Sequence, residues 1–336
     1  MKVLVANVRG FCAGVERAIG TVQHALELFG APIFVRHEIV HNRHVVEGLR
    51  AQGAEFVEDL AEVPDGAVVL FSAHGVAQDV YAEARRRQLT VIDATCPLVT
   101  KVHLEVASHA RAGRTVLLIG HRNHPEVVGT MGHYHGQGVG EILLVESHED
   151  AVRLVLPADS PVAYVTQTTL SLDDTARIVN ILRNRFPQIR GPYKNDICYA
   201  TQNRQNAVRE LALRCDAIVV VGDDHSSNSN RLKELAQACD RPAYLVNSVK
   251  QLEARWFESS AVIGLTSGAS VPEILLSEIL AMFARWWPSL TVETIGEPEQ
   301  IYFRLPRFPD QARLPPLPMS AHSSPPVSVP IENGAR

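Results

Sequence analysis

The chain has 336 residues, of which 46% are hydrophobic and 21% charged, with a formal net charge of −5. This composition is ordinary for a globular protein of two or three domains, and it excludes the basic balance of nucleic-acid-binding proteins. No apolar run approaches the ~20 residues that a membrane span requires.

No secretory signal is predicted, because the first six residues lead directly into what reads as a strand. The five cysteines include no close pairs, which argues against a disulfide framework. The expected compartment is therefore the reducing cytoplasm, where cysteines more often serve as ligands or nucleophiles.

The first predicted unit, residues 1–96, alternates strands and helices. Its first strand is followed by Cys12, which lies on a turn ahead of a helix predicted over 15–29. Two later strands of this unit end in His41 and His74.

The second predicted unit, residues 97–194, follows Cys96, which lies on another turn between an apolar strand and a helix. The next strand is followed by His124 and Glu126, and a further strand ends at Thr168. The polar side chains again come directly after apolar runs.

The third predicted unit, residues 195–287, repeats this organisation with Cys198 on the turn. A strand rich in β-branched residues is then followed by a polar run, and the next helix is predicted to begin at Arg231. The polar residues that follow the later strands of this unit are Ser226, Ser227, Asn228 and Ser270.

The segment after residue 287 has a weaker pattern. Residues 288–305 are predicted to hold one more strand, placed at 300–305, and the Pro- and Ser-rich tail 306–336 is predicted to be disordered.

The three units share a spacing along the chain. In each unit, the first polar residue at a strand end follows the cysteine at nearly the same distance. The distance is 29 residues from Cys12 to His41, 28 from Cys96 to His124 and 28 from Cys198 to Ser226. A second one follows at 72 residues in the later two units and at 62 in the first. This repeat predicts an α/β fold of three similar units with parallel sheets, whose strand ends converge on one centre in a pseudo-threefold arrangement.

Cysteines at three equivalent turns are candidates for one shared metal centre. Three thiolates fit zinc with an open position, or three corners of a four-iron cluster. The alternative is that they are buried core residues, which is common for single cysteines. Cys215 and Cys239 lack the turn setting and are predicted to be structural.

The polar strand ends suit an anion such as a phosphate, since imidazoles, hydroxyls, amides and helix N-termini all donate hydrogen bonds. The serine-rich run could equally be a solvated loop with a helix cap. Glu126 could carry protons or stabilise a helix N-terminus, and Thr168 could bind a substrate hydroxyl or begin a turn. No Walker sequence or G-x-G-x-x-G is present, so nucleotide binding has no support.

Nine motifs in order make the chain similar to one known family. They are RGFCAGV at 9–15, HEIVHN at 37–42, SAHG at 72–75, DATCP at 93–97, GHRNHPE at 120–126, TQTT at 166–169, DIC at 196–198, SSNSNR at 226–231 and TSGAS at 266–270. On these motifs the chain resembles the 4-hydroxy-3-methylbut-2-enyl diphosphate reductase family, whose members catalyse the last step of the non-mevalonate isoprenoid pathway.

The resemblance implies an oxidoreductase that converts this allylic diphosphate into isopentenyl and dimethylallyl diphosphate. It implies one [4Fe-4S] cluster per chain, with one open iron for the substrate hydroxyl, held by Cys12, Cys96 and Cys198. Glu126 would supply protons with the help of Thr168, and reduced flavodoxin or ferredoxin would supply electrons. The diphosphate would lie among His41, His74, His124, Ser226, Ser227, Asn228 and Ser270.

Two other classes of function stay open from the residues alone. One is a zinc-dependent hydrolase of a phosphorylated small molecule, which would be colourless. The other is a non-catalytic iron–sulfur redox sensor, which would not need the phosphate pocket.

Overall fold

Alternating strands and helices run through the computed structural model of the protein, which describes residues 1–136, 140–157 and 160–309. The strands are β1 (Lys2–Ala6), β2 (Ile33–Arg36), β3 (Ala54–Val57), β4 (Val68–Phe71), β5 (Thr90–Asp93), β6 (Thr115–Ile119), β7 (Ile142–Val145), β8 (Val162–Thr166), β9 (Ala217–Val221), β10 (Ala243–Val246), β11 (Val262–Ser267) and β12 (Thr291–Ile295). The helices are α1 (Ala13–Phe29), α2 (Arg43–Ala51), α3 (Gln78–Arg86), α4 (Pro97–Arg111), α5 (Pro125–Met131), α6 (His148–Arg153), α7 (Leu172–Arg185), α8 (Tyr199–Arg214), α9 (Ser227–Ala238) and α10 (Glu273–Trp286).

The strands form three sheets, and every paired strand is parallel to its neighbour. The strand orders are β3-β2-β4-β5, β7-β6-β8 and β10-β9-β11-β1-β12. The central strands β6 and β9 read TVLLI and AIVVV and are buried along their whole length, as expected where helices cover both faces of a parallel sheet. The predicted α/β class with parallel sheets in three units is confirmed.

The unit boundaries read from the sequence do not coincide with the sheets at the start of the chain. We assigned residues 1–96 to the first unit, but β1 pairs with β11 and β12, so the first strand belongs to the third sheet. The reason is non-local: β1 is an apolar strand that is buried almost throughout, and it fills the position between two strands from the far end of the chain.

The strand predicted at 300–305 is also misplaced, because the strand of this segment is β12, at Thr291–Ile295. Four of its five residues are exposed, and Glu293 at its centre pairs with Lys2 on β1. An exposed edge strand has little apolar signal, so sequence pattern does not locate it.

Most of the tail predicted to be disordered lies outside the described residues, which end at 309. Within the described part of the chain, no helix is both long and apolar enough to cross a bilayer.

Candidate active site

Each of the three predicted ligand cysteines occupies the same structural position, the N-cap of a helix. Cys12 caps α1, Cys96 caps α4 and Cys198 caps α8. Helix N-termini carry a partial positive charge that favours thiolates and other anions. The residue that caps each helix is therefore placed where a negatively charged ligand is favoured.

The backbone of each cysteine is fixed against a loop that follows a strand. The amide of Cys12 donates to the Ala269 carbonyl at 3.0 Å, and that of Cys96 donates to the Ala73 carbonyl at 3.0 Å. In the third unit the amide of Cys198 donates to the carbonyl of Thr168, just beyond the end of β8, at 3.1 Å. These bonds connect the cysteine turns to the loops that carry the polar side chains.

The thiols converge beside Gly14, in the first turn of α1. A Cβ atom at this position would lie 2.8 Å from the Sγ of Cys96 and 3.8 Å from that of Cys12. Glycine is thus required so that α1 can approach the second cysteine. All three cysteines line the same cavity, and all three are free thiols.

The electrostatics of this cavity suit a bound cation or metal cluster. Burial raises the pKa of Cys12, raises that of Cys96 to about 12 and raises that of Cys198 to about 11. These three partly buried thiols therefore keep their protons until a metal supplies positive charge. The donor set and its crowding fit a metal held at three positions.

Glu126 is a buried carboxyl held by Thr168. Its Oε1 accepts the Thr168 amide at 2.6 Å, and its Oε2 accepts the Thr168 hydroxyl at 2.9 Å. Burial raises the pKa of Glu126 to about 7, against the lowering effect of these two hydrogen bonds. At neutral pH this carboxyl can both hold and release a proton, which is the property required of a general acid.

The three predicted histidines form one cluster. The rings of His41 and His74 stack with centroids 4.2 Å apart, and His124 lies 5.3 and 5.7 Å from them. Burial lowers the pKa of His74 well below its usual value, with a smaller contribution from the neighbouring imidazoles, and lowers that of His124 to about 3. Both rings are therefore neutral at pH 7 before an anion binds.

The hydrogen bond of His124 fixes its tautomer. Its Nδ1 accepts the amide of Glu126 at 3.1 Å, so a neutral ring carries its proton on Nε2. His41 instead turns Nδ1 toward the Glu38 carboxylate at 3.2 Å, and its buried Nε2 has no partner within the described residues.

The third unit contributes the N-terminus of α9. This helix begins at Ser227, and not at Arg231 as predicted, because Ser226 caps it by accepting the Ser229 amide at 3.4 Å. The side-chain oxygen and nitrogen of Asn228 are buried and lack protein partners in the described ranges. Unpartnered donors in the first turn of a helix are well placed for an anion.

Ser270 connects the third unit to the first. Its hydroxyl donates to the backbone carbonyl of His41 at 3.0 Å. This hydrogen bond therefore attaches the loop after β11 to the histidine cluster, and both line the cavity together with the serine–asparagine run.

The structure brings every predicted site residue into a single cavity of about 720 Å³, counted with its opening to solvent. The predicted lining residues are Cys12, Cys96, Cys198, Glu126, Thr168, His41, His74, His124, Ser226, Ser227, Asn228 and Ser270. Cys215 is 3% exposed in the apolar core beneath the third sheet, which agrees with the structural role predicted for it.

Sequence reasoning missed two hydroxyls of this cavity. Thr201 lies with its Oγ1 3.2 Å from the Sγ of Cys198, and Thr169 lies with its Oγ1 3.2 Å from the Oγ of Ser227. Both are three residues or fewer from a predicted site residue, and that proximity was the available signal.

Fold and site together define an α/β protein with three parallel sheets, whose loops bring three cysteines, a buried carboxyl and a set of polar donors into one cavity. The LytB protein family matches residues 3–284, and the chain belongs to this family.

Relatives that carry an enzyme name are similar over most of the chain. The 4-hydroxy-3-methylbut-2-enyl diphosphate reductase of Hahella chejuensis is 56% identical over 91% of this chain and 97% of its own length. That of Pseudomonas putida is 55% identical over 91% and 98%. The solved structure of the E-1-hydroxy-2-methyl-but-2-enyl-4-diphosphate reductase from Plasmodium falciparum superposes with a TM-score of 0.86 at 40% identity, covering 91% of this chain and 95% of that one.

Proposed function

We propose that the protein is a 4-hydroxy-3-methylbut-2-enyl diphosphate reductase, the last enzyme of the non-mevalonate isoprenoid pathway. The reaction cleaves the carbon–oxygen bond of the allylic hydroxyl with two electrons and two protons and releases water. The diphosphate is retained, and the products are isopentenyl and dimethylallyl diphosphate. The observation that carries the proposal is the convergence of three thiols, one protonatable carboxyl and one anion pocket in a single cavity.

Cys12, Cys96 and Cys198 would hold a [4Fe-4S] cluster at three of its corners, one cluster per chain. When bound, the cluster supplies electrons and, at its open iron, a Lewis acid for the poor leaving group. The three helix N-termini and the buried setting of the thiols support this assignment.

The diphosphate would bind where the histidine cluster meets the start of α9. The neutral His124 donates from Nε2, and Asn228 and the neighbouring serines add amide and hydroxyl donors. Anchoring the diphosphate in this way uses binding energy far from the reacting carbon to fix the hydroxyl end of the substrate.

Glu126 would deliver protons to the substrate. Its pKa of about 7 keeps much of it protonated at neutral pH, and Thr168 fixes both carboxyl oxygens. The Thr168 hydroxyl can also turn toward a substrate hydroxyl and pass the proton on.

The two electrons would come from a small reduced carrier, flavodoxin or ferredoxin. The reducing cytoplasm predicted from the cysteines suits a thiol-held cluster and stays a prediction.

The test is anaerobic turnover of 4-hydroxy-3-methylbut-2-enyl diphosphate by reconstituted protein, with a reduced viologen dye as the electron source. We expect a brown protein and dye oxidation that depends on the substrate. Glu126→Gln should retain the brown colour and lose turnover by a factor on the order of 10²–10⁴, the usual contribution of general acid catalysis.

Other results point to the alternatives. A brown protein that oxidises no dye would favour the redox sensor. A colourless protein that binds zinc and hydrolyses the substrate would favour the hydrolase.

A further inference from the structure

Three cations repeat at equivalent positions around the three-cysteine site. Arg17 is the fifth residue of α1, Lys101 is the fifth residue of α4 and Arg204 is the sixth residue of α8. Each follows the cysteine that caps its helix by about one and a half turns. Each reaches the turn that precedes the next cysteine around the site, so the three contacts close a ring.

The first two contacts run from α1 to the second cysteine turn and from α4 to the third. Arg17 donates from Nη1 to the carbonyl of Thr95, the residue before Cys96, at 3.0 Å. The ammonium of Lys101 lies 2.8 Å from the buried carboxylate of Asp196, and it also donates to two carbonyls of the same turn at 2.8 and 3.4 Å.

The third contact returns from α8 to the first cysteine turn. Arg204 donates from Nη2 to the carbonyl of Gly10, two residues before Cys12, at 2.8 Å. Its Nη1 donates to the Ala200 carbonyl at 3.1 Å and to the Glu299 carboxylate at 3.0 Å. The side chain is completely buried, which is rare for an arginine.

Burying a cation costs free energy unless hydrogen bonds and opposite charges replace the water that it loses. Here the fork of Arg204 joins the turn before Cys12, through the Gly10 carbonyl, to the first turn of the helix that Cys198 caps, through the Ala200 carbonyl. Thiolates in a metal site are anionic, so cations beside them offset the repulsion among them.

We infer that Arg17, Lys101 and Arg204 form a ring of positioning residues, each of which fixes the turn before one cysteine, and that Arg204 also places a positive charge near the three thiols. The charge effect rests on the proposed function, since it acts on the bound cluster. The fixing of the turns does not, because it exists in the protein without metal.

The positioning role is tested in the metal-free protein by hydrogen exchange with mass spectrometry. Arg204→Met should speed exchange in residues 8–14 by a factor on the order of ten, because hydrogen bonds from a charged donor hold this turn. Glu299→Gln is the matched control: it removes the carboxylate partner and leaves both carbonyl contacts of Arg204 in place. If Arg204→Met does not fold, Lys101→Met provides the same test on residues 194–198, since Lys101 is partly exposed.

The charge role is tested by the midpoint potential of the reconstituted cluster, followed by electron paramagnetic resonance during reductive titration. Arg204→Met should shift the potential to more negative values, since reduction adds negative charge. Glu299→Gln should shift it to more positive values. Arg204→Lys retains the charge without the planar fork, so its potential should stay near that of the wild type while exchange of the turn remains fast.

Unchanged exchange in the folded, metal-free variants, together with unchanged potentials in the cluster-loaded variants, would overturn the inference. A wild-type protein that assembles no cluster would instead contradict the proposed function. The exchange measurements would then still decide whether the cations fix the cysteine turns.

Discussion

Glu126 is a titratable carboxyl enclosed in the protein, 3% exposed, with Thr168 as its hydrogen-bonding partner. The sequence singles it out because it lies within a polar strand end beside a histidine. Its protonation state depends on burial and on a residue 42 positions away, and no local pattern contains that information.

The raised pKa of Glu126 makes the stability of the protein depend on pH. The folded state holds the proton up to about pH 7, whereas the ordinary value is 4.5, so the unfolded chain releases it first. Stability is therefore lost as pH rises from about 4.5 through about 7. Removing the ionisable group should remove this loss.

We predict that metal-free Glu126→Gln is more stable than the wild type at pH 8, by about 3 kcal/mol, and equally stable near pH 4. Urea unfolding at the two pH values measures the difference. Glu55→Gln, at an exposed position, serves as control and should show no such divergence. Equal stabilities at pH 8 would mean that the Glu126 carboxyl ionises freely in the folded protein.

The histidine cluster gives a second prediction at this scale. The pKa values of His74 and His124 are lowered mainly by burial, and a bound anion raises both because its negative charge favours the protonated rings. Binding of inorganic diphosphate at mildly acidic pH should therefore be accompanied by proton uptake that becomes smaller as pH increases.

Calorimetry in buffers of different ionisation enthalpy measures this uptake. His74→Asn should reduce it relative to the wild type, and His24→Asn should leave it unchanged because His24 lies outside the cavity. The same uptake in His74→Asn and in wild type would remove His74 from the anion pocket.

At the scale of single elements, strand and helix order follow from the apolar pattern, and the cysteine turns were located correctly as helix starts. The start of α9 was placed too late because the serines and asparagines that begin it have low helix propensity, and the helix starts there through the Ser226 cap, which accepts the Ser229 amide. The exposed edge strand β12 was misplaced for a different reason: its two apolar residues, Val292 and Ile295, do not alternate, so they give no strand period.

Gly14 allows a direct test of how closely α1 must approach the second cysteine. In Gly14→Ala the new methyl group would lie 2.8 Å from the Sγ of Cys96, so either the helix or the thiol has to move. We expect a folded protein whose iron content after anaerobic reconstitution falls at least severalfold.

The matched control is Gly48→Ala, also within a helix, where an added Cβ meets no atom within 4 Å. That variant should bind as much iron as the wild type and be slightly more stable, because alanine favours helix over glycine. Full iron binding by Gly14→Ala would show that the cysteine cage tolerates displacement.

At the scale of the whole molecule, the spacing repeat predicted three parallel α/β units, and the three sheets agree with it. The sequence could not show which sheet β1 would join, because an apolar strand can be buried equally well in any parallel sheet. Its partner strands lie more than 250 residues away along the chain, and the local pattern of apolar residues carries no information about such distant pairings.

The site is assembled from loops of all three units, so its closure around a small substrate requires the units to move relative to one another. We predict that substrate binding rotates the units and reduces the radius of gyration. Small-angle scattering of the cluster-loaded protein with and without substrate measures this. Superimposable profiles would mean that the cavity is already closed before binding.

The pairing of β1 between β11 and β12 has a consequence for synthesis on the ribosome. The four-stranded and three-stranded sheets draw only on residues 33–93 and 115–166, so they can form as soon as those segments emerge. The five-stranded sheet cannot be completed until residue 295 has been translated, and the first strand made has neither neighbour until β11 has emerged and lacks the second until β12 follows. Cys12 lies shortly after β1 and its amide donates to the Ala269 carbonyl, so the first cysteine to be translated cannot make this contact until the third unit has been made.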